Sequence, residues 1–254
     1  MRPTIDTLFF DWDHTLAHTL IANNTMGERL TAMFHMAGLN YSQASIETAL
    51  AKYQAEVDAG RVKVVKQPQT RRDIARFYRH LLDLLGEEDK SWATIRRLYG
   101  TYAQLPTYLY DDSRPTLQWF SERGFQLGII SNHSESARPV MEGLVGDLVP
   151  GEHMIISEEL GVHKPAKTIF QRAAARLRRP AKRCALIGDN LLVDAAGAVK
   201  VGHFAAGIWL DRRQIGDGQP LTSGLFRVTS LCDVPALIKQ LNDKRAYGKN
   251  ARIG

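Results

Sequence analysis

The apolar run Leu8-Phe9-Phe10 climbs directly into Asp11-Trp12-Asp13-His14-Thr15, the pattern of a buried strand whose carboxyl end opens onto a polar loop. After Leu16 the period lengthens to that of a helix, with Leu20, Ile21, Met26, Leu30, Met33 and Phe34 recurring up to Gly38. Ser42 is placed to cap a second helix carrying Ile46, Leu50, Tyr53 and Val57 toward Gly60. A basic, proline-containing connection (Arg61, Lys63, Lys66, Pro68, Gln69) leads to a third stripe of Ile74, Phe77, Leu81, Leu84 and Leu85. Trp92, Ile95, Leu98, Tyr99 and Tyr102 make a fourth. Four successive helical patterns joined by short turns predict a small bundle.

From about residue 105 the pattern alternates. Residues 116–123 read as a helix with Gly124 as its C-cap, and 125–130 as a strand running into Ser131. Short strands follow at 154–156, 184–187 and 204–210, with helices at 167–177, 191–199 and 233–241. Strands alternating with helices predict an α/β fold, a doubly wound and mostly parallel sheet. The expected division is an α/β core domain of residues 1–18 and 107–254, interrupted by an α-helical cap domain at 19–106. An insert placed just after the first strand is expected to work as a lid at the carboxyl edge of the sheet.

At 254 residues the chain can bury a substantial core. Although 44% of residues are hydrophobic, no uninterrupted apolar stretch approaches membrane-spanning length. Met1-Arg2-Pro3-Thr4-Ile5-Asp6 lacks the apolar centre of a secretory signal, so a cytoplasmic protein with no membrane association is expected. Cys184 and Cys232 form no metal-type pair and read as reduced structural thiols. The net charge of +6 favours anionic partners in general. Eight basic residues and no acidic one lie between Lys164 and Arg183. Most suit the solvated face of the 167–177 helix, and with its single aromatic residue, Phe170, on the buried face, nucleic acid is not the expected partner.

The chemistry concentrates at the ends of apolar runs. Beyond Asp11 and Asp13, the clusters are Ser131-Asn132, Lys164-Pro165, and Gly188-Asp189-Asn190 with Asp194. Open α/β sheets bind ligands at such carboxyl ends. Asp and Thr also suit plain turns, and Asp189 and Asp194 suit helix N-terminal capping, so no cluster is decisive alone.

Taken together and in order, the four clusters resemble the motifs of the haloacid dehalogenase superfamily, chiefly its phosphatase branch with an α-helical cap; the resemblance runs from Phe9 to about Asp211. It implies a Mg2+-dependent phosphomonoester hydrolase acting on a small phosphorylated metabolite, a sugar phosphate or a nucleoside monophosphate. Asp11 would attack phosphorus to form an acyl phosphate, which divides one hard hydrolysis into two easier displacements. Asp13 would protonate the departing alkoxide and later take a proton from water. Ser131 and Lys164 are the implied phosphate-binding residues, with Asn132 as a further candidate. Asp11, the Asp13 carbonyl and Asp189 are the implied metal ligands, supported by Asp194.

Thr15 is expected to order the first loop through its hydroxyl, and Ser131 and Ser134 to cap the helix that follows. The position after Asp13 is most often glycine or another small residue in the family; here it is His14. His133 and His163 also adjoin motif residues, and all three are read as structural or rim residues. Asp13 argues against halide hydrolysis, since the dehalogenase branch lacks an aspartate there. Substrate selection would come from the cap, with Arg61, Lys63, Lys66, Arg71 and Arg72 as candidates, although these also suit a solvated face. The open alternatives are a phosphomutase of the same family and a phosphate- or nucleic-acid-binding protein without turnover.

Overall fold

The computed structural model describes residues 4–19, 25–63, 71–216 and 221–247. Leu20, Ile21, Lys66, Pro68 and Gln69, singled out above, lie outside the described residues. The chain divides into two compact units, Met1–His18 with Leu109–His133 and Met141–Gly254, and Thr19–Tyr108 with Ser134–Val140. The short segment Ser134–Val140 thus groups with the helical unit, whereas the sequence placed it in the α/β core.

In the first unit, six parallel strands line up in the order β5-β4-β1-β6-β7-β8. They are β1 (Thr7–Phe10), β4 (Gln126–Ser131), β5 (Met154–Ile156), β6 (Cys184–Gly188), β7 (Ala206–Leu210) and β8 (Leu225–Val228). Two further strands, β2 (Ala17–Thr19) and β3 (Thr107–Leu109), pair separately. From β1 the chain fills one side of the sheet through β4 and β5, then crosses to the other through β6, β7 and β8. That reversal on either side of β1 is the switch point at which doubly wound sheets bind ligands. The central strands are apolar and fully buried because helices cover both faces. Phe9, Ile130, Ile155 and Leu186 pack with Ile169 and Phe170 of the Lys167–Arg176 helix in one continuous core.

β8 was not among the predicted strands; only its two ends are buried, so it carries no apolar run. The helix after β6 spans Leu191–Val201 and is wound as a π-helix, wider than the α-helix the spacing predicts. It lies against β7, where a Cβ on Gly207 would come within 2.1 Å of the Ala195 carbonyl oxygen, so only glycine permits this approach. The closing helix runs over Val234–Tyr247.

The second unit holds α1 (Met26–Met36), α2 (Gln43–Asp58), α3 (Arg71–Leu84) and α4 (Trp92–Gly100). Ser42 caps α2 as expected, its hydroxyl accepting from the Ser45 N–H at 3.2 Å. The four stripes meet in one core of Leu30, Phe34, Ile46, Leu81, Ile95 and Leu98. Trp92, counted in the fourth stripe, stands at the first residue of α4 and is 49% exposed. Arg61, Lys63 and Arg72 are exposed. No described helix is long and apolar enough to cross a membrane.

Candidate active site

Register brings the predicted residues to one end of the sheet. Phe10 pairs with Ile129 on one side and Ile187 on the other, so Asp11, Ser131 and Asp189 all stand at or just beyond the carboxyl ends of three adjacent strands. The Asp11 N–H still donates to the Ile187 carbonyl at 2.8 Å. The loop that follows is a tight turn. The Trp12 carbonyl accepts from the N–H groups of Leu16 and Ala17 at 2.9 and 3.0 Å, and the His14 N–H donates to the Ala17 carbonyl at 2.8 Å. His14 takes φ of +58°, the left-handed region where glycine is least strained, which accounts for the family's usual residue there. Trp12, between Asp11 and Asp13 in the chain, is fully buried.

Lys164 is 1% exposed. Its Nζ lies 2.6 Å from Asp11 Oδ1 and 2.7 Å from Asp194 Oδ1. Burial pushes the Asp11 carboxyl up, to about 8, against the opposing pull of the Lys164 ammonium, and the Asp194 charge adds to the push. Burial alone would lower the Lys164 ammonium, but Asp11 and Asp194 outweigh it and hold Lys164 above its ordinary range. Asp189 is raised by burial and by Asp194. Asp11, Asp189 and Asp194 each offer a carboxylate oxygen, all within 4.8 Å of one another. Three carboxyl groups therefore share one ammonium, and a further cation would relieve their repulsion.

Asp194 is buried and is no surface capping charge. The capping falls to Asn190, whose Oδ1 accepts from the Leu192 and Val193 N–H groups at 3.0 and 2.9 Å. Asp194 Oδ2 accepts from the Asn190 N–H at 3.0 Å, leaving Oδ1 toward Lys164. Gly188 makes room for this carboxylate, since a Cβ there would lie 2.5 Å from its atoms.

Several side chains differ from expectation. The Asn132 amide is committed to the Lys164 backbone, with Nδ2 donating to the carbonyl at 2.9 Å and Oδ1 accepting from the N–H at 2.8 Å. These bonds tie Asn132, a further phosphate-side candidate in the sequence, to the Lys164 backbone. Ser131 is buried within β4 and caps no helix, and Ser134 heads the next turn without a capping hydrogen bond. The Thr15 hydroxyl is buried with no hydrogen-bond partner among the described residues; the loop is held through the Thr15 carbonyl, which accepts from Arg212 Nη2 at 2.8 Å. His133 does not point away from the site, because its Nε2 lies 3.4 Å from Asp13 Oδ2. His163 is buried.

Sequence reasoning missed three supporting residues. The Trp209 indole N–H donates to the Asp189 carbonyl at 2.9 Å. Arg212 forks onto Asp112 at 2.8 and 3.0 Å and stacks 3.9 Å from the Tyr110 ring centre. Asp112 also accepts from the Ser230 hydroxyl and the Leu231 N–H, each at 2.9 Å. An apolar strand residue and two ordinary charges carry no local signal; only the tertiary contacts give them a role.

Comparison with known proteins agrees with this geometry. A glyceraldehyde 3-phosphate phosphatase of Methanopyrus kandleri is 29% identical over 203 residues, 78% of this chain and 81% of that protein. A ribulose-1,5-bisphosphate 5-phosphatase of Halopiger xanaduensis is 32% identical over 94 residues, 37% of this chain and 39% of that protein. A phosphatase structure from Thermococcus onnurineus has the same fold, with a TM-score of 0.58 and 20% identity over 92% of this chain and 98% of that one. Residues 5–202 match the haloacid dehalogenase-like hydrolase family. With its parallel sheet, switch-point carboxylates and buried lysine, this chain belongs to the haloacid dehalogenase-like hydrolases.

Proposed function

We propose that the protein is a magnesium-dependent phosphomonoester hydrolase acting on a small sugar phosphate through a phosphorylated Asp11. The carrying observation is the buried cluster of Asp11, Asp189 and Asp194 around Lys164. The Methanopyrus and Halopiger phosphatases compared above are named for small phosphorylated sugars, which supports a sugar phosphate ahead of a nucleoside monophosphate.

The donor set fits Mg2+, which prefers carboxylate, carbonyl and water oxygens. Asp11, Asp189 and the Asp13 carbonyl would hold it. Asp194, with its oxygens turned to Lys164 and Asn190, supports them through charge. A bound Mg2+ would neutralise phosphoryl oxygens and keep Asp11 ionised despite its burial.

The chain's own groups carry the remaining steps. A carboxylate oxygen of Asp11 attacks phosphorus while the bond to the substrate's ester oxygen breaks, and Asp13 gives that oxygen a proton. Water then attacks the same phosphorus and surrenders a proton to Asp13, releasing inorganic phosphate and regenerating Asp11. Lys164 offsets the charge gathered on Asp11 and the phosphoryl oxygens, and the Ser131 hydroxyl donates to one of those oxygens. The helical unit, inserted in the chain just after the Asp11 loop, is assigned the role of substrate-selecting cap.

The test is phosphate release from triose, pentose and hexose phosphates, nucleoside monophosphates and phosphorylated acids, with magnesium and with chelator. Release that needs magnesium and is lost in Asp11→Asn supports the reading. Release that survives chelation or the substitution contradicts it.

A further inference from the structure

Asp13 has to hold a proton on the oxygen facing the leaving group, yet its side chain is 33% exposed on a turn. A misaligned acid loses most of its catalytic value. His133 is built to prevent this. Its ring is only 7% exposed and its Nε2 lies 3.4 Å from Asp13 Oδ2. The backbone beneath it is pinned, since the His133 carbonyl accepts from the Ser157 hydroxyl at 3.2 Å and from the Glu158 N–H at 3.3 Å. Directly after the buried end of β4, a nearly enclosed ring on an anchored backbone cannot swing away.

We infer that His133 is a positioning residue for the acid–base step: its Nε2–H holds Oδ2 of Asp13, so that Oδ1 carries the proton delivered to the leaving oxygen. This rests on the phosphatase reading above. In the first displacement the Asp11–phosphorus bond forms, the bond from phosphorus to the ester oxygen breaks, and the Oδ1 proton passes to that oxygen. Asp13 is left as a carboxylate beside His133. In the second, water bonds to phosphorus, the Asp11–phosphorus bond breaks, and one water proton returns to Oδ1. The separation of 3.4 Å exceeds a formed hydrogen bond, and catalytic contacts commonly tighten only once substrate is bound.

The consequence is a dependence on leaving group. An alkyl phosphate needs its departing oxygen protonated, whereas a nitrophenyl phosphate does not, and kcat/KM reports the steps through formation of the acyl phosphate. The experiment compares kcat/KM for the best alkyl substrate and for 4-nitrophenyl phosphate in wild type, His133→Phe and His133→Gln, with folding checked by melting temperature. In His133→Phe the alkyl value is expected to fall at least about tenfold further than the aryl value, a share of the effect a general acid supplies. His133→Gln, whose amide also presents an N–H, is expected to recover part of the difference. Equal losses on both substrates, or no loss on either, would overturn the inference and leave the phosphatase reading intact. Wild-type protein that releases phosphate from neither would overturn that reading and the inference with it.

Discussion

Asn132 grips the Lys164 backbone at both its polar groups, donating to its carbonyl at 2.9 Å and accepting from its N–H at 2.8 Å. The side chain imitates a paired strand, and so fixes the backbone from which the ammonium reaches Asp11 and Asp194. Asn132→Ala is expected to cost about 1–2 kcal/mol in urea unfolding, as two partly buried hydrogen bonds are lost. It should also lower kcat by loosening Lys164. Asn132→Asp keeps the acceptor but loses the donor, and is expected to fall between the two.

Lys164 Nζ lies against Asp11 and Asp194 at 2.6 and 2.7 Å, with the Asp189 carboxylate within 4.8 Å of both. Removing it in Lys164→Met leaves those groups repelling one another in a buried site. The expected loss is about 3–5 kcal/mol in denaturant unfolding without divalent cations. Added magnesium should recover part of it. A variant as stable as wild type would show that the cluster is hydrated and carries little strain.

Asp112 supplies a pH test. Burial opposes its ionisation, but the Arg212 fork, the Leu231 N–H and the Ser230 hydroxyl outweigh it and hold the carboxyl below its ordinary value. A depressed folded-state pKa means that the contribution to stability is present above the unfolded value of about 3.9 and is lost as pH falls through the lower folded value. Asp112→Asn should therefore be less stable than wild type at pH 7. The gap should close as pH drops below about 4, as followed by melting temperature across pH.

Gly188 is the closest steric constraint at the site. An added methyl would lie 2.5 Å from Asp194, so Gly188→Ala is expected to destabilise by about 1–3 kcal/mol. Activity should fall further than the loss of folded protein explains, because the displaced carboxylate is one of the two that hold Lys164. Comparing specific activity per folded molecule with the unfolding midpoint separates the two effects.

Much of the fold was legible because its signals are local. Apolar runs ending in Asp11, Ser131 and Gly188 mark buried parallel strands, and four spaced stripes mark the helices. β8 was not legible, since a strand buried only at Leu225 and Val228 has no period to read. Trp92 misled because size and spacing do not reveal that the first turn of α4 is half exposed. At the site, residue types at strand ends were readable but side-chain direction was not. Asn132 turns to a backbone 32 residues away, and His133 turns to Asp13 across adjacent strand ends. Only the sheet's register brings those pairs together.

The central claim is that Asp11 becomes covalently phosphorylated. Enzyme mixed with magnesium and its best substrate, quenched in acid during turnover and mapped by peptide mass spectrometry, tests it most directly. The expected result is one phosphoryl group on the peptide carrying Asp11, released by hydroxylamine and absent from Asp11→Asn. Steady turnover by an enzyme that never carries that group, or carries it on another residue, would contradict the account.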